Sequence, residues 1–178
     1  MKISKKVIYL FLFYLFFAGC GGEKGPQVAV VEPDYNFLLA SATVQKQPTM
    51  RQQRDMAFLN AKYALKAQVG KEVQAFLTAY LESIGLSNER TIERLCGYVN
   101  MDMAGLYENV EQKEIQILQG QAMAVTVELD TARFETALKE ALRSNFQRDR
   151  SVWERFQEQS SQDLLNRSLD VLLHRQTD

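Results

Sequence analysis

The residue with the most distinctive chemistry in this chain is Cys20. It closes an Ala18-Gly19-Cys20 step, preceded by an apolar run over 7–17 and by Lys2, Lys5 and Lys6. A basic segment, a short apolar segment and small residues before a cut form the pattern of a cleaved export signal. A cysteine at the cut is the residue that bacterial lipoprotein processing modifies with acyl chains, palmitate among them. The pattern predicts removal of a signal peptide over 1–19 and a mature chain that begins at a lipidated Cys20. A membrane-spanning helix is the competing reading. A span needs roughly twenty apolar residues, whereas this run gives way to Gly19, Gly21, Gly22, Glu23 and Lys24. Each buried methylene contributes about 0.8 kcal/mol, so two or three acyl chains hold a protein on a bilayer where one holds it only marginally. Gly21 stands where many inner-membrane lipoproteins carry aspartate, so the expected location is the outer membrane, with the domain facing the periplasm.

The remaining reactive groups are sparse. Once Cys20 is acylated Cys96 has no thiol partner, so no intrachain disulfide is expected, and Cys96 reads as a small buried hydrophobe. The single histidine, His174, lies at the far end of the chain, which argues against cysteine–histidine catalysis. Glu108, Glu111 and Glu114 near one strand, with Glu128 and Asp130 on the next, have the composition of a carboxylate pair or an oxygen-rich cation site; the competing reading is a solvated sheet face balanced by Lys113. Arg143, Arg148, Arg150 and Arg155 are interspersed with Glu140, Asp149, Glu154 and Glu158, as on a solvated helix face. Phe58, Tyr63, Phe76 and Tyr80 could line an apolar pocket, but their helical spacing favours the core.

No phosphate-binding glycine loop, nucleophile elbow, HExxH or Cys/His metal set occurs in the mature sequence. No catalytic, cofactor-binding or metal-ligating residue is assigned, no cofactor is expected, and the chain reads as a non-enzyme whose one modified residue is Cys20. Loss of Lys2, Lys5 and Lys6 leaves 18 basic against 22 acidic side chains, a net charge of −4, which gives no basic excess to attract nucleic acid.

The elements that must carry these residues follow from periodicity. The stretch 21–27 is glycine-rich and polar, a tether, and 28–31 is an apolar snippet stopped by Pro33. Residues 37–44 have the length and bounds of a buried strand, unusually slim at Ala40, Ser41 and Ala42. Thr49 with Gln52 resembles a capping box that opens a long helix to about Ser83. Ala57, Ala61, Ala64, Leu65, Gln68, Val69, Val73, Phe76 and Tyr80 fall on one face, widened by Phe58, Leu59, Tyr63, Leu77 and Leu81. Gly70 is a place for a bend, since glycine costs about 1 kcal/mol inside a helix. Gly85 ends this helix, and a shorter one follows from Ser87 with a core face of Ile92, Leu95, Cys96 and Val99.

Residues 106–118 read as a strand whose phase slips between Val110 and Ile115, a sign of a bulge or of a misplaced boundary. Gln119-Gly120-Gln121 reads as a three-residue hairpin turn, and 123–130 as the clearest half-buried strand. Asp130 or Thr131 caps a last helical region with Phe134, Leu138, Ala141, Leu142 and Phe146 on its core face. A break is expected within 145–151, then one further helix bearing Trp153, Phe156, Leu164, Leu165, Leu169 and Leu172, which either folds back or meets a partner.

The strand Phe37-Leu38-Leu39-Ala40-Ser41-Ala42, a polar gap, and the helix with Ala57, Asn60-Ala61-Lys62, Ala64-Leu65, Val69 and Val73 resemble the small lipoproteins of the Lpp-twenty type, a module similar to the flagellar lipoprotein FlgP and the first domain of FlgT. The resemblance covers roughly 34–138 and includes a later valine-rich strand at 123–130. Ser41 stands where glycine is usual, and Lys62 where arginine is commoner. It implies an α+β fold, helices on a small antiparallel sheet, in a surface-anchored protein without catalytic residues. The expected organisation is a signal peptide over 1–19, a lipidated N-terminus and tether over 20–33, an α+β domain over 34–146 and a C-terminal helical extension over 147–178. The expected role is structural or protein-interacting in the cell envelope, with envelope proteins or further copies as partners and a flagellar association as a narrower version. The alternative is a periplasmic module that binds an apolar or lipid ligand between the long helix and the sheet.

Overall fold

A computed structural model of the chain describes residues 37–86 and 88–174. The expected signal peptide over 1–19, Cys20, the expected tether, the 28–31 snippet and Ser87 lie outside the described residues. The first strand, β1 (Leu39–Val44), buries Ala40, Ala42 and Val44 on one face and half-buries Leu39, Ser41 and Thr43 on the other. Small side chains at two of three inward positions let a helix approach the sheet closely. That helix, α1 (Met50–Ser83), starts as the sequence requires: Thr49 Oγ1 accepts the Gln52 N–H at 3.2 Å and its hydroxyl lies 3.1 Å from Gln52 Oε1. Its first half lays Ala57, Ala61 and Leu65, all fully buried, across β1 and the central strand.

The helix continues unbroken through Gly70. An added Cβ there would sit 3.8 Å from the Asn100 side chain, an ordinary contact. Partners along both halves of α1 outweigh the modest propensity cost of the glycine. Termination is local: Gly85 takes φ +81°, so that Leu86 N–H reaches the Leu81 carbonyl at 2.8 Å and Gly85 N–H the Glu82 carbonyl at 3.0 Å, satisfying carbonyls that the helix would otherwise leave open. The next helix, α2 (Glu89–Asp102), is capped by Asn88 and buries Ile92, Leu95, Cys96 and Val99, the four residues expected from spacing.

The expected strand over 106–118 divides. Residues Ala104–Asn109 form a 3-10 turn that buries Tyr107, and only β2 (Glu111–Ile117) is extended, with a register shift between Gln112 and Glu114. Both sources of the phase slip are therefore present. The turn at Gln119–Gln121 uses positive φ at Gly120 and Gln121 and is closed by Leu118 N–H on the Ala122 carbonyl at 2.8 Å. The strand β3 (Met123–Glu128) lies at the centre of an antiparallel sheet of order β1-β3-β2. Its Met123, Val125 and Val127 bury beneath α1, while Ser41 and Thr126 meet on the opposite face through hydroxyls 2.7 Å apart.

After β3, Asp130 caps α3 (Thr131–Gln147) by accepting the Arg133 N–H at 2.8 Å. The break expected within 145–151 falls at Arg148 and Asp149, where Asp149 caps α4 (Arg150–Phe156). The single further helix is in fact two, because the chain turns again at Gln157 and Glu158 before α5 (Gln159–His174). No glycine or proline marks this second turn. It brings Leu165, Leu169 and Leu172 into the same core as α1 and α3, so the tail folds back. Leu59 and Tyr63, expected to widen the apolar face of α1, are instead 48% and 64% exposed.

Candidate functional site

The sheet brings two of the five candidate carboxylates directly opposite one another. Glu111 pairs with Glu128 across β2 and β3, a like-charge pairing that is unfavourable unless it is screened or neutralised. Lys113, at the bulge, supplies the neutralising charge: its ammonium lies 2.8 Å from Glu128 Oε1, with both side chains substantially exposed. The others are engaged or apart. Glu114 accepts the Gln116 amide at 2.8 Å, Asp130 caps α3, and Glu108 lies in the exposed part of the 3-10 turn. No group of three metal-ligating side chains occurs among the described residues. What the arrangement forms is a solvated sheet face, acidic overall, on which Lys113 offsets one of the carboxylates.

Three of the four candidate arginines, Arg148, Arg150 and Arg155 but not Arg143, are likewise taken up by neighbours. Arg150 pairs with Glu154 at 2.7 Å and Arg155 with Glu158 at 3.3 Å, and Arg148 donates to Asn145 Oδ1 at 3.1 Å. Asp149 joins α2 to α4 by pairing with Arg94. The hydroxyl of Ser151 and the amides of Val152 and Ser151, together with Arg94, hold its carboxyl below the usual aspartate range against a smaller opposing effect of burial.

The aromatic group separates by face. Tyr80 stacks between Phe76, at 6.4 Å, and Phe146, at 5.9 Å, and its hydroxyl donates to the Ser161 carbonyl at 3.2 Å. Burial pushes its pKa up to about 12. Phe58 is partly buried under the Lys62 ammonium, 5.8 Å from the ring centre, and Tyr63 points to solvent. Cys96 is buried, and burial pushes its thiol up, away from the thiolate that nucleophilic chemistry needs. Of the described side chains, the most exacting polar positions are ones the sequence reading passed over. Gln53 is 4% exposed and Asn145 fully buried. Gln53 sits one turn before Ala57 on the buried stripe, which is the signal that would have revealed it.

Among the described residues, two clefts bear on ligand binding. One, of about 730 Å³, is edged by Leu106, Asn109, Glu111, Asp130, Arg133 and Glu140, with charges of both signs. The other, of about 580 Å³, runs between the second half of α1 and α5 and is mostly apolar, lined by Ala75, Phe76, Ala79, Leu164, Val171 and Leu172. The space between α1 and the sheet, where the alternative reading puts an apolar or lipid ligand, is filled by Ala57, Ala61 and Leu65 against Ala40, Ala42 and Val125. No described helix is long and apolar enough to cross a membrane. Compared with known proteins, the chain matches no family model and no curated sequence. What stands is an α+β domain whose helices pack on a three-stranded antiparallel sheet.

Proposed function

We propose that this chain is a lipid-anchored outer-membrane lipoprotein whose domain faces the periplasm and serves a structural or protein-interaction role in the cell envelope. The observation that carries the reading is the run of Lys2, Lys5 and Lys6, the apolar 7–17 and Ala18-Gly19-Cys20. It is supported by the slim strand packed under a long alanine-rich helix, the arrangement that the resemblance to Lpp-twenty-type lipoproteins implies. It is supported too by the candidate acids and bases, many of which are ion-paired or hydrogen-bonded on open faces, as Glu128 is with Lys113 and Arg150 with Glu154. The anchor supplies membrane attachment through acyl chains on Cys20, so the domain surface is left free for partners. A pull-down from detergent-solubilised envelopes tests the role: reproducible partners or self-association are expected, and a solitary monomer contradicts it. Flagellar involvement is a narrower form, tested by motility after deletion of the gene.

A second reading, a periplasmic module for an apolar ligand, is favoured by the cleft between α1 and α5. Lipid that co-purifies with the protein and is lost on Ala79→Trp would support it.

A further inference from the structure

The strand β2 is the least covered element of the fold. All seven of its residues are exposed, and among the described residues it forms one edge of the sheet, bonded only to β3. Its register sets Ile115 opposite Val125 and Ile117 opposite Met123. Residues opposite one another in an antiparallel pair share a face, so both isoleucines lie on the face that carries α1. That helix crosses β1 and β3, and it leaves Ile115 39% and Ile117 63% exposed, with Leu118 at 42% beside them. An edge strand offers unpaired N–H and C=O groups to any extended chain, and proteins usually guard such edges with charge, lysine and bulges. Here the guards stand in one half only. Glu111, Lys113 and the bulge between Gln112 and Glu114 protect the start of β2, whereas 115–118 is Ile-Gln-Ile-Leu, with no charge.

We propose that β2 is the contact through which two copies of this chain join, edge to edge and antiparallel, about a two-fold axis at Gln116. In this register Ile115 lies opposite Ile117 of the second copy, and Ile117 opposite its Ile115, giving a cross-strand isoleucine ladder on one face. Gln116 meets Gln116, and Glu114 meets Leu118. Registers centred nearer the bulge are disfavoured by the same residues. Centring on Glu114 sets two carboxylates directly opposite, which is unfavourable. Centring on Ile115 sets Lys113, already bonded to Glu128, against Ile117. The register at Gln116 centres the pairing on the unguarded half and leaves Glu111, Lys113 and the bulge outside the central pairs, and the joined sheet has six strands. The inference deepens the proposed function by naming the partner, and it rests on that reading in one respect: anchorage through Cys20 confines copies to one surface and raises their effective concentration, so a short paired segment suffices.

The test is oxidative cross-linking of the full-length chain in its native membranes, read on non-reducing gels. Gln116→Cys is expected to give a disulfide-linked dimer, whereas Gln112→Cys, also exposed on the same strand, and the unsubstituted chain give none. Adding Ile117→Lys to Gln116→Cys is expected to abolish the dimer with the circular dichroism spectrum unchanged. Absence of a dimer from Gln116→Cys, equal dimer from both cysteine variants, or capture of a different protein at 116 would overturn the pairing. Palmitate labelling of the same samples separates the two readings. A labelled protein without the cross-link overturns the pairing and leaves the anchor standing, whereas a cross-link without label supports the pairing and removes the anchor.

Discussion

The side-chain amide of Gln53 donates to the main-chain carbonyl of Gln121 at 2.7 Å, joining the first turn of α1 to a hairpin 68 residues away. The same nitrogen lies 3.2 Å from the Val44 carbonyl at the end of β1. One buried amide therefore ties helix, edge strand and hairpin together. Gln53→Leu keeps the volume and removes both bonds, taking this donor from the buried Val44 carbonyl and from Gln121, at a cost of about 1–3 kcal/mol. The expected outcome is a lower denaturation midpoint in urea with an unchanged slope.

Ala61 is fully buried where α1 crosses the slim part of β1. Ala61→Leu forces the helix off the sheet and is expected to destabilise the domain by about 1–3 kcal/mol through overpacking. Thermal unfolding followed by circular dichroism reads this as a lowered melting temperature; no change would mean that the helix does not lie flat on Ala40 and Ala42.

Where local chemistry decides, the fold was legible in the residues. Thr49, Asp130 and Gly85 set helix ends through their own side chains or backbone freedom, and Met123 to Glu128 alternates because one face is covered and the other is not. The turn at Gln157 and Glu158 was not legible, because it carries no glycine or proline, and the division before β2 showed only as a phase slip, since Gly105 alone does not place a 3-10 turn. Both are set by packing at a distance, Tyr107 burying before β2 and Leu165 and Leu169 returning to the core. Leu59 and Tyr63 misled for the opposite reason. Apolar type suggests burial, but a helix across a three-stranded sheet covers two strands and leaves its outer flank wet. Of the candidate site, the carboxylates and arginines could be listed from sequence, but their mutual neutralisation depends on sheet register and helix faces.

Asp149 caps α4 through the amides of Ser151 and Val152, and Asp149→Ala is expected to cost about 0.5–2 kcal/mol at neutral pH. Its folded pKa is depressed below the ordinary 3.8, so the ionised carboxylate stabilises the fold above that value and the contribution is lost as pH falls through the folded pKa. The gap in stability between wild type and variant should therefore narrow in acid below about pH 3.8; a gap independent of pH would show that the cap does not act through charge.

Tyr80→Phe keeps the ring stack with Phe76 and Phe146 and removes the bond to the Ser161 carbonyl that holds α5. The expected cost is about 0.5–1.5 kcal/mol, with faster amide exchange concentrated in α5. Burial raises the Tyr80 pKa from 10.0 to about 12, so the protonated hydroxyl stabilises the fold below the unfolded value. That stability is lost as pH rises through the window between the two. The variant should lose less stability than wild type across it; the remaining alkaline loss reflects Tyr107, also raised to about 12 by burial.

Incorporation of radiolabelled palmitate into the full-length chain, compared with Cys20→Ala and with globomycin-treated cells, tests the anchor most directly. Lipid attachment at Cys20 predicts label in the wild-type protein, none in Cys20→Ala, and accumulation of the longer precursor when globomycin is present. An unlabelled wild-type protein that matures normally in globomycin would contradict the account at its foundation.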